Sequence, residues 1–148
     1  MPANDKEAHV PIWFTLSIGG AESAGLFKEA TGFDSESETT EIKRSMPNGK
    51  TDVIKVMGNT KWGDIELKRG IDQDKTLWTW RKLVVDGKLK EARKDCTVTM
   101  MDYELKPVVT YSIINAWPKK YTGVGLKADS NEVAVEGLTL CHEGFEIQ

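Results

Sequence analysis

The chain has 148 residues, with 20 basic and 23 acidic side chains for a formal net charge of −3, and is 39% hydrophobic and 29% charged. That length supports one domain with a real core and leaves no room for a second, while the near-balanced charge excludes a general electrostatic attraction to nucleic acid or an anionic membrane. No stretch approaches the ~20 apolar residues of a transmembrane helix and the polar start does not resemble a signal peptide, so the expectation is a protein made in the cytoplasm, with no membrane anchor.

In chain order, residues 1–11 form a polar lead-in, and Ile12 to Ile18 reads as a first strand with Phe14, Leu16 and Ile18 on alternate positions before Gly19-Gly20 ends it. Glu22 to Gly32 is irregular. Phe33 to Arg44 has a period of two, with Asp34, Glu36 and Glu38 alternating with Ser35, Ser37 and Thr39, and residues 29–42 carry five acids and no base. Neither face of its middle is apolar, so this strand needs a partner or a wet surface. Ser45-Met46-Pro47-Asn48-Gly49-Lys50 is a turn-rich loop leading into Thr51 to Met57, so 33–57 is read as a long projecting hairpin. Gly58-Asn59 reads as the next turn.

Trp62 to Arg69 sets Ile65 and Leu67 on alternate positions from Asp64, Glu66 and Lys68, the pattern of a half-buried strand. A helix over about 74–86 follows, with Asp72 and Asp74 as candidate N-caps and Gly87 just past its end. Leu77, Trp80 or Arg81, and Val84 share one face; burying Leu77, Trp80 and Val84 contributes about 1.5–3 kcal/mol each, enough to clamp a short helix over a sheet. Lys75 to Lys94 carries seven bases and two acids. Lys94 to Met101, a turn at Asp102 to Lys106, and Val108 to Ala116 form a second hairpin. Pro118 interrupts, Tyr121 to Lys127 is a short strand or extended loop, and Asn131 to His142 is the last strand, bearing Val133, Val135, Leu138 and Leu140. The total is about eight strands and one helix, without an internal repeat or a low-complexity linker.

Chemistry is sparse. His9 and His142 are the only histidines, and neither lies near a nucleophile or second ligand in sequence. Cys141, His142 and Glu143 alternate across a strand and do not readily share one metal ion. Cys96 and Cys141 read as small buried hydrophobes. Gly19-Gly20, Gly63 and Gly123-Val-Gly125 lack the Gly-Lys-Ser/Thr and helix of a phosphate loop. Asp34, Glu36 and Glu38 stand in a row with no apolar pocket to separate their pKa values for acid and base roles. No catalytic residue, metal or cofactor is expected. Open sheets with a polar strand instead leave edges that must be covered or paired, and closure of identical copies into a ring does this.

Taken together, the acidic strand Phe33 to Arg44, the stretch Gly58-Asn-Thr-Lys-Trp-Gly-Asp-Ile-Glu-Leu-Lys-Arg-Gly70 followed by Leu77-Trp-Thr-Trp80, the tetrapeptide Asn115-Ala-Trp-Pro118, and Asp129 to Glu136 running into Leu138 to Gly144 resemble the tail-tube proteins of contractile phage tails and extracellular contractile injection systems. The likeness covers roughly Pro11 to Glu146. It implies a single tail-tube domain over 1–148: mainly β, two packed antiparallel sheets in a barrel-like sandwich, with a flanking helix and the projecting hairpin.

It also implies a structural, non-enzymatic subunit whose hexameric rings stack into a hollow tube inside a contractile sheath. Its partners would be further copies, the sheath protein, baseplate and tail-terminator proteins, and effector or DNA cargo in the lumen. The particle would be a phage tail, a virion or a tail-like particle released from the cell. Carried onto this chain, Asp34, Glu36, Glu38 and Thr40 are the lumen-lining candidates, giving a smooth acidic lumen, and Ser45, Met46, Pro47, Asn48, Gly49 and Lys50 are the ring-stacking or inter-subunit loop. Trp62, Leu77, Trp80 and Trp117 are structural anchors. The alternatives are a secreted ring protein of a type VI-like system and a monomeric ligand-binding β-barrel.

Overall fold

Alternation of apolar and polar residues carries over into strands of a computed structural model, which describes residues 13–20, 23–70, 74–123 and 134–148. The described strands are β1 (Trp13–Ile18), β2 (Ser23–Phe27), β3 (Glu29–Thr31), β4 (Ser35–Ser45), β5 (Thr51–Trp62), β6 (Ile65–Gly70), β7 (Lys94–Met101), β8 (Pro107–Thr122), β9 (Val135–Cys141) and β10 (Phe145–Ile147). Two helices lie between β6 and β7: α1 (Thr76–Val85) and the short α2 (Leu89–Ala92).

The 16-residue β8 belongs to two sheets. Its first half pairs with β7, which pairs with β1 and so reaches β2; its second half pairs with β9, then β6, then β3. All these pairings are antiparallel, and β10 returns to the edge of β8 at Tyr111, Ser112 and Ile113. The two sheets fold on each other into a sandwich whose interior holds Leu16, Phe27, Ile65, Leu67, Val98, Ile113, Leu138 and Leu140. On its other side, Ser23 to Thr31 crosses from β1 to β6, with Lys28 N–H donating to Lys68 O at 3.0 Å. The architecture is a sandwich, with the strand order of the described residues left open rather than closed into a barrel.

The corner of β8 is built by Asn115, whose φ of 48° is left-handed, a conformation Asn tolerates better than most residues. Ile114 and Asn115 oppose the single residue Asp95, a bulge that bends the strand. Asn115 N–H donates to Asp95 Oδ1 at 3.0 Å and its Nδ2 donates to Glu143 Oε2 at 2.7 Å.

The structure corrects several sequence expectations. Glu22 to Gly32 contains two short strands. β5 runs through Gly58-Asn59 instead of turning there, and the chain breaks between strands at Gly63-Asp64. Pro118 does not end β8: it is buried inside it, next to a register shift between Pro118 and Lys120, where a ladder tolerates a residue with no N–H to donate. The helix begins at Thr76, with Lys75 as the capping position and no side-chain cap. Asp74 instead accepts Thr76 N–H at 3.0 Å from just ahead of the helix. Residues 1–12, Asp72 and residues 124–133 lie outside the described residues, including His9, Gly125, Val133 and the ends of the segments read over 121–127 and 131–142.

α1 ends in a Schellman arrangement: Lys88 N–H reaches Leu83 O at 2.8 Å, Gly87 N–H reaches Val84 O at 3.0 Å, and Gly87 has a φ of 79°. Its inward face buries Leu77 and Trp80. Trp80 Nε1 donates to Ala92 O at 2.7 Å, locking α2 against α1, while Arg81 donates to Pro118 O on β8 at 3.3 Å.

Candidate assembly interface

Among the described residues β4 and β5 pair only with each other, as a separate two-stranded sheet. Every residue from Ser35 to Trp62 is exposed. Its register pairs Glu36 with Lys61, Thr40 with Val56, Ile42 with Ile54, and Arg44 with Asp52 on one face. The other face carries Ser35 opposite Trp62, Ser37 opposite Thr60, Thr39 opposite Met57, Glu41 opposite Lys55 and Lys43 opposite Val53. Between Ser37 and Thr39 the register slips, so that Gly58 and Asn59 oppose Glu38 alone. A Cβ on Gly58 would lie 3.0 Å from Glu38 O, so the close approach of the strands explains this glycine.

The acid row is not a bare acidic surface. Lys61 Nζ meets Glu38 Oε1 at 2.5 Å, Arg44 meets Asp52 at 3.0 Å, and Lys55 stands opposite Glu41. The sequence reading of a smooth acidic face missed this compensation because the neutralising lysines come from β5.

Along the outer half of the Glu36 face, Ile42, Ile54 and Val56 form an apolar patch at 49%, 36% and 42% exposure. The loop beyond is held by Met46 N–H to Lys50 O at 2.7 Å, Gly49 N–H to Met46 O at 3.0 Å, and Lys50 N–H to Asn48 Oδ1 at 3.1 Å. Ser45 to Lys50 is therefore an ordered tip, with Met46 and Pro47 exposed.

The base of the hairpin is fixed to the sandwich. Gly63 N–H donates to Asp34 O at 3.0 Å and Asp34 N–H to Gly32 O at 2.8 Å. Lys119 on β8 donates to Asp64 Oδ2 at 2.8 Å, and that hydrogen bond raises the lysine's pKa. Trp62 packs edge-on to Phe145 at 5.1 Å between centroids and lies against Gly144, where an added Cβ would come within 3.2 Å of the indole. His142 donates through Nε2 to Gly63 O at 2.7 Å and accepts Gly144 N–H on Nδ1 at 3.1 Å, an assignment that uses both ring nitrogens structurally.

Of the remaining anchor residues, Leu77 and Trp80 are buried under α1, and Trp117 is half-buried opposite Cys141. Cys96 is buried, and that burial pushes its thiol up to about 12.

A buried polar cluster escaped the sequence reading. Arg69, 2% exposed, donates from Nε to Glu136 Oε1 at 2.5 Å and from a terminal nitrogen to Asp74 O at 3.0 Å, and stacks over the Phe27 ring at 5.7 Å. Tyr121 donates to the other Glu136 oxygen at 2.7 Å. Alternation was the available signal: Arg69 shares the parity of Ile65 and Leu67, and Glu136 that of Leu138 and Leu140.

Among the described residues no three His, Cys, Asp or Glu side chains are placed to hold a metal ion, and no helix is long and apolar enough to cross a membrane. The site offers contact chemistry: strand edges, compensated charges and exposed apolar side chains.

The model of a family described as "T4-like virus tail tube protein gp19" matches residues 10–146. Among solved structures, a chain of "Cryo-EM Structure of an Extracellular Contractile Injection System, PVC sheath-tube complex in extended state" is similar at 24% identity and a TM-score of 0.75, over 97% of this chain and 94% of that one. A chain of the anti-feeding prophage cap, "AFP tube terminating cap", is similar at 24% identity and a TM-score of 0.69, over 100% of this chain and 97% of that one. Hcp1 from Flavobacterium johnsoniae is similar at 13% identity and a TM-score of 0.53, over 92% and 94%. These likenesses show a shared fold. A search of curated proteins found no match.

Proposed function

The chain belongs to the T4-like virus tail tube protein family, and from that premise we infer that its copies form hexameric rings that stack into the hollow inner tube of a contractile tail or injection system. The observation that carries the reading is the hairpin. An isolated two-stranded ribbon is marginally stable in water, and this one leaves both outer edges and the Ile42, Ile54 and Val56 patch uncovered. Neighbouring copies supply the missing strands and cover the patch.

In this reading the base half of the Glu36 face, with Asp34, Glu36, Glu38 and Thr40, lines the lumen. Trp62 supports that assignment: it seats the opposite face of the hairpin base on the sandwich. The wall is then hydrated and still acidic, since Lys61 offsets Glu38 but leaves Asp34 and Glu36 in excess, and it disfavours adhesion of anionic cargo. The tip Ser45 to Lys50 contacts the adjoining subunit or ring.

The subunit acts by assembly rather than catalysis. Likeness to chains in a sheath-tube complex, a tube-terminating cap and the anti-feeding prophage baseplate supports a sheath, a terminator and a baseplate as partners, in a particle released from the cell. A monomeric ligand-binding barrel would have no use for so long an uncovered hairpin.

Negative-stain electron microscopy of the purified protein over a concentration series, with light scattering for mass, tests the reading. Six-fold rings or stacked tubes are expected. Monomers at every concentration, together with absence from sheathed particles of the source cells, would overturn it.

A further inference from the structure

Three pieces of the molecule meet at residues 142–145. β5 of the hairpin ends at Trp62, just ahead of Gly63; the corner of β8 passes at Ile114 and Asn115; and β9 turns here into β10. Ile114 N–H donates to Gly144 O at 2.9 Å and Glu143 N–H to Ile114 O at 3.0 Å, which ties the turn to β8. The polar tie from this turn to the hairpin base runs through His142, whose Nε2 meets Gly63 O at 2.7 Å.

Backbone chemistry fixes the protonation of that ring. Gly63 offers a carbonyl, which can only accept, and Gly144 offers an N–H, 3.1 Å from Nδ1, which can only donate. A neutral imidazole with its hydrogen on Nε2 satisfies both. An imidazolium carries a hydrogen on each nitrogen, so its Nδ1–H would stand against a second N–H. Gly144 is buried, where an N–H without an acceptor is costly. Trp62 rests on Gly144 itself, so a turn that rearranges there also unseats the indole.

No neighbouring group holds the charged ring in place. The acids at the junction are Asp34 and Asp64 on the hairpin side and Glu143 beside the histidine; Lys119 of β8 engages Asp64, and Asn115 engages Glu143. Cys141 flanks the histidine on its other side, and Glu146 stands opposite Ser112 along β10. Asp34 Oδ2 lies 3.6 Å from the place of a Cβ on Gly63, yet among the described residues His142 makes no ion pair. The Trp62 and Phe145 rings are 6.4 and 6.0 Å away and tilted, at the limit of the roughly 6 Å reach of a cation–π contact.

We propose that His142 is a pH-sensitive hook: neutral, it clips the hairpin base to the sandwich, and on protonation it swings out and lets the hairpin rock, so that acid dissolves rings without unfolding the sandwich. The consequence for rings rests on the tube reading, because copies close a ring only at one angle of hairpin to sandwich. The closing form is the neutral one. The hook is therefore complete above the ordinary histidine range, about pH 6.5, and is lost as pH falls through it.

The test follows the whole chain from about pH 7.5 to about pH 5.5. Hydrogen exchange of the free subunit, corrected for the intrinsic effect of pH, reads the junction; NMR tracks the His142 imidazole; negative-stain microscopy counts rings. His142→Asn removes the titration and keeps an oxygen able to accept the N–H two residues on, and His9→Gln is the histidine control. In wild type and His9→Gln, amides of residues 60–66 and 142–147 should exchange at least about tenfold faster at the acid end, the worth of one buried hydrogen bond. The midpoint should match the His142 titration, β7 should stay protected, and the concentration needed for rings should rise by a similar factor. In His142→Asn neither quantity should follow pH.

Flat exchange in wild type, a midpoint away from the His142 titration, or the same acid opening in His142→Asn would overturn the proposal. So would rings indifferent to pH while the free subunit opens. Should His142→Asn fail to fold, the wild-type midpoint decides by itself. Absence of rings at every pH would count against the tube reading alone, since exchange in the free subunit reads the hook independently.

Discussion

Inside the sandwich the Arg69 guanidinium meets the Glu136 carboxylate at 2.5 Å, with the two side chains 2% and 6% exposed. β6 and β9 place them on neighbouring strands, where Arg69 and Glu136 are direct register partners. Taking two charges from water is costly and is offset here by close contact and by Tyr121, Asp74 and Phe27 around the pair. Arg69→Met should lower the unfolding free energy of the free subunit by about 3–5 kcal/mol, because Glu136 is left buried without a countercharge. Urea denaturation, at concentrations where light scattering shows a monomer, measures this. Adding Glu136→Leu should recover most of the loss, short by about 1 kcal/mol because Tyr121 loses its acceptor. A double variant no more stable than the single would show that the two residues do not act as a pair.

Asp74 and Tyr121 of this cluster, and Cys96 elsewhere in the core, contribute to the pH dependence of stability. Hydrogen bonds from the Thr76 hydroxyl and N–H, with the Arg69 charge adding to them, hold the Asp74 carboxyl below the usual range. Its folded pKa is depressed, so its contribution is present above the unfolded carboxylate value and is lost as pH falls through the lowered one. Tyr121 is shifted the other way, upward, first by its hydrogen bond to Glu136 and then by burial; burial raises Cys96 to about 12. Contributions from these two groups are complete below their unfolded values and vanish as pH rises through the folded ones. The urea midpoint should therefore hold through neutral pH and decline at both ends, with the alkaline decline smaller in Tyr121→Phe. An identical alkaline limb in that variant would remove Tyr121 from the account.

Gly32 holds the turn that launches the hairpin. Its φ is 92°, and a Cβ there would stand 1.9 Å from Asp64 O, a backbone atom with little room to yield. Gly32→Ala should cost at least about 1–3 kcal/mol from backbone strain alone, and displace Asp64 from Lys119. Gly49→Ala, where φ is 82° but nothing lies within 4 Å, meets no such clash and should cost less. Equal losses in the two variants would mean that conformation, rather than the approach of Asp64, governs both sites.

How much of this was legible in the sequence varies with the range of the interaction. Ile65 and Leu67, or Leu16 and Ile18, announce their buried face by alternation, because a strand's period of two is local. Arg69 obeys the same parity, but a polar residue on an apolar face is recognisable only with Glu136 beside it, 67 residues away. Gly58-Asn59 is composed like a turn, while the structure uses Gly58 for the approach of two backbones; nothing local separates those uses. Pro118 reads as a stop, yet the bulge beside it needs no N–H there. The Glu38 to Lys61 compensation depends on a separate register slip in the hairpin, between Ser37 and Thr39. The tube surfaces are harder still, since their partners are other chains.

The hairpin supplies the sharpest contrast between two charge changes on one face. Ile42 and Ile54 are direct cross-strand partners in its outer half, and Glu36 and Glu38 occupy its base. All four are exposed in the single subunit, so neither Ile42→Asp with Ile54→Asp nor Glu36→Lys with Glu38→Lys should unfold it; like charges across the ribbon cost only about 0.2–1 kcal/mol. Assembly should tell them apart. The aspartates would bury charge where a neighbouring copy covers the patch, and rings should be lost at every concentration where wild type forms them. Lysines at Glu36 and Glu38 would face water in the lumen, so rings should persist with an altered inner charge. Circular dichroism and negative-stain images of both variants read these outcomes. Rings from the aspartate variant would move the interface away from Ile42 and Ile54, and collapse of the lysine variant's monomer would show that Glu36 and Glu38 face protein rather than solvent.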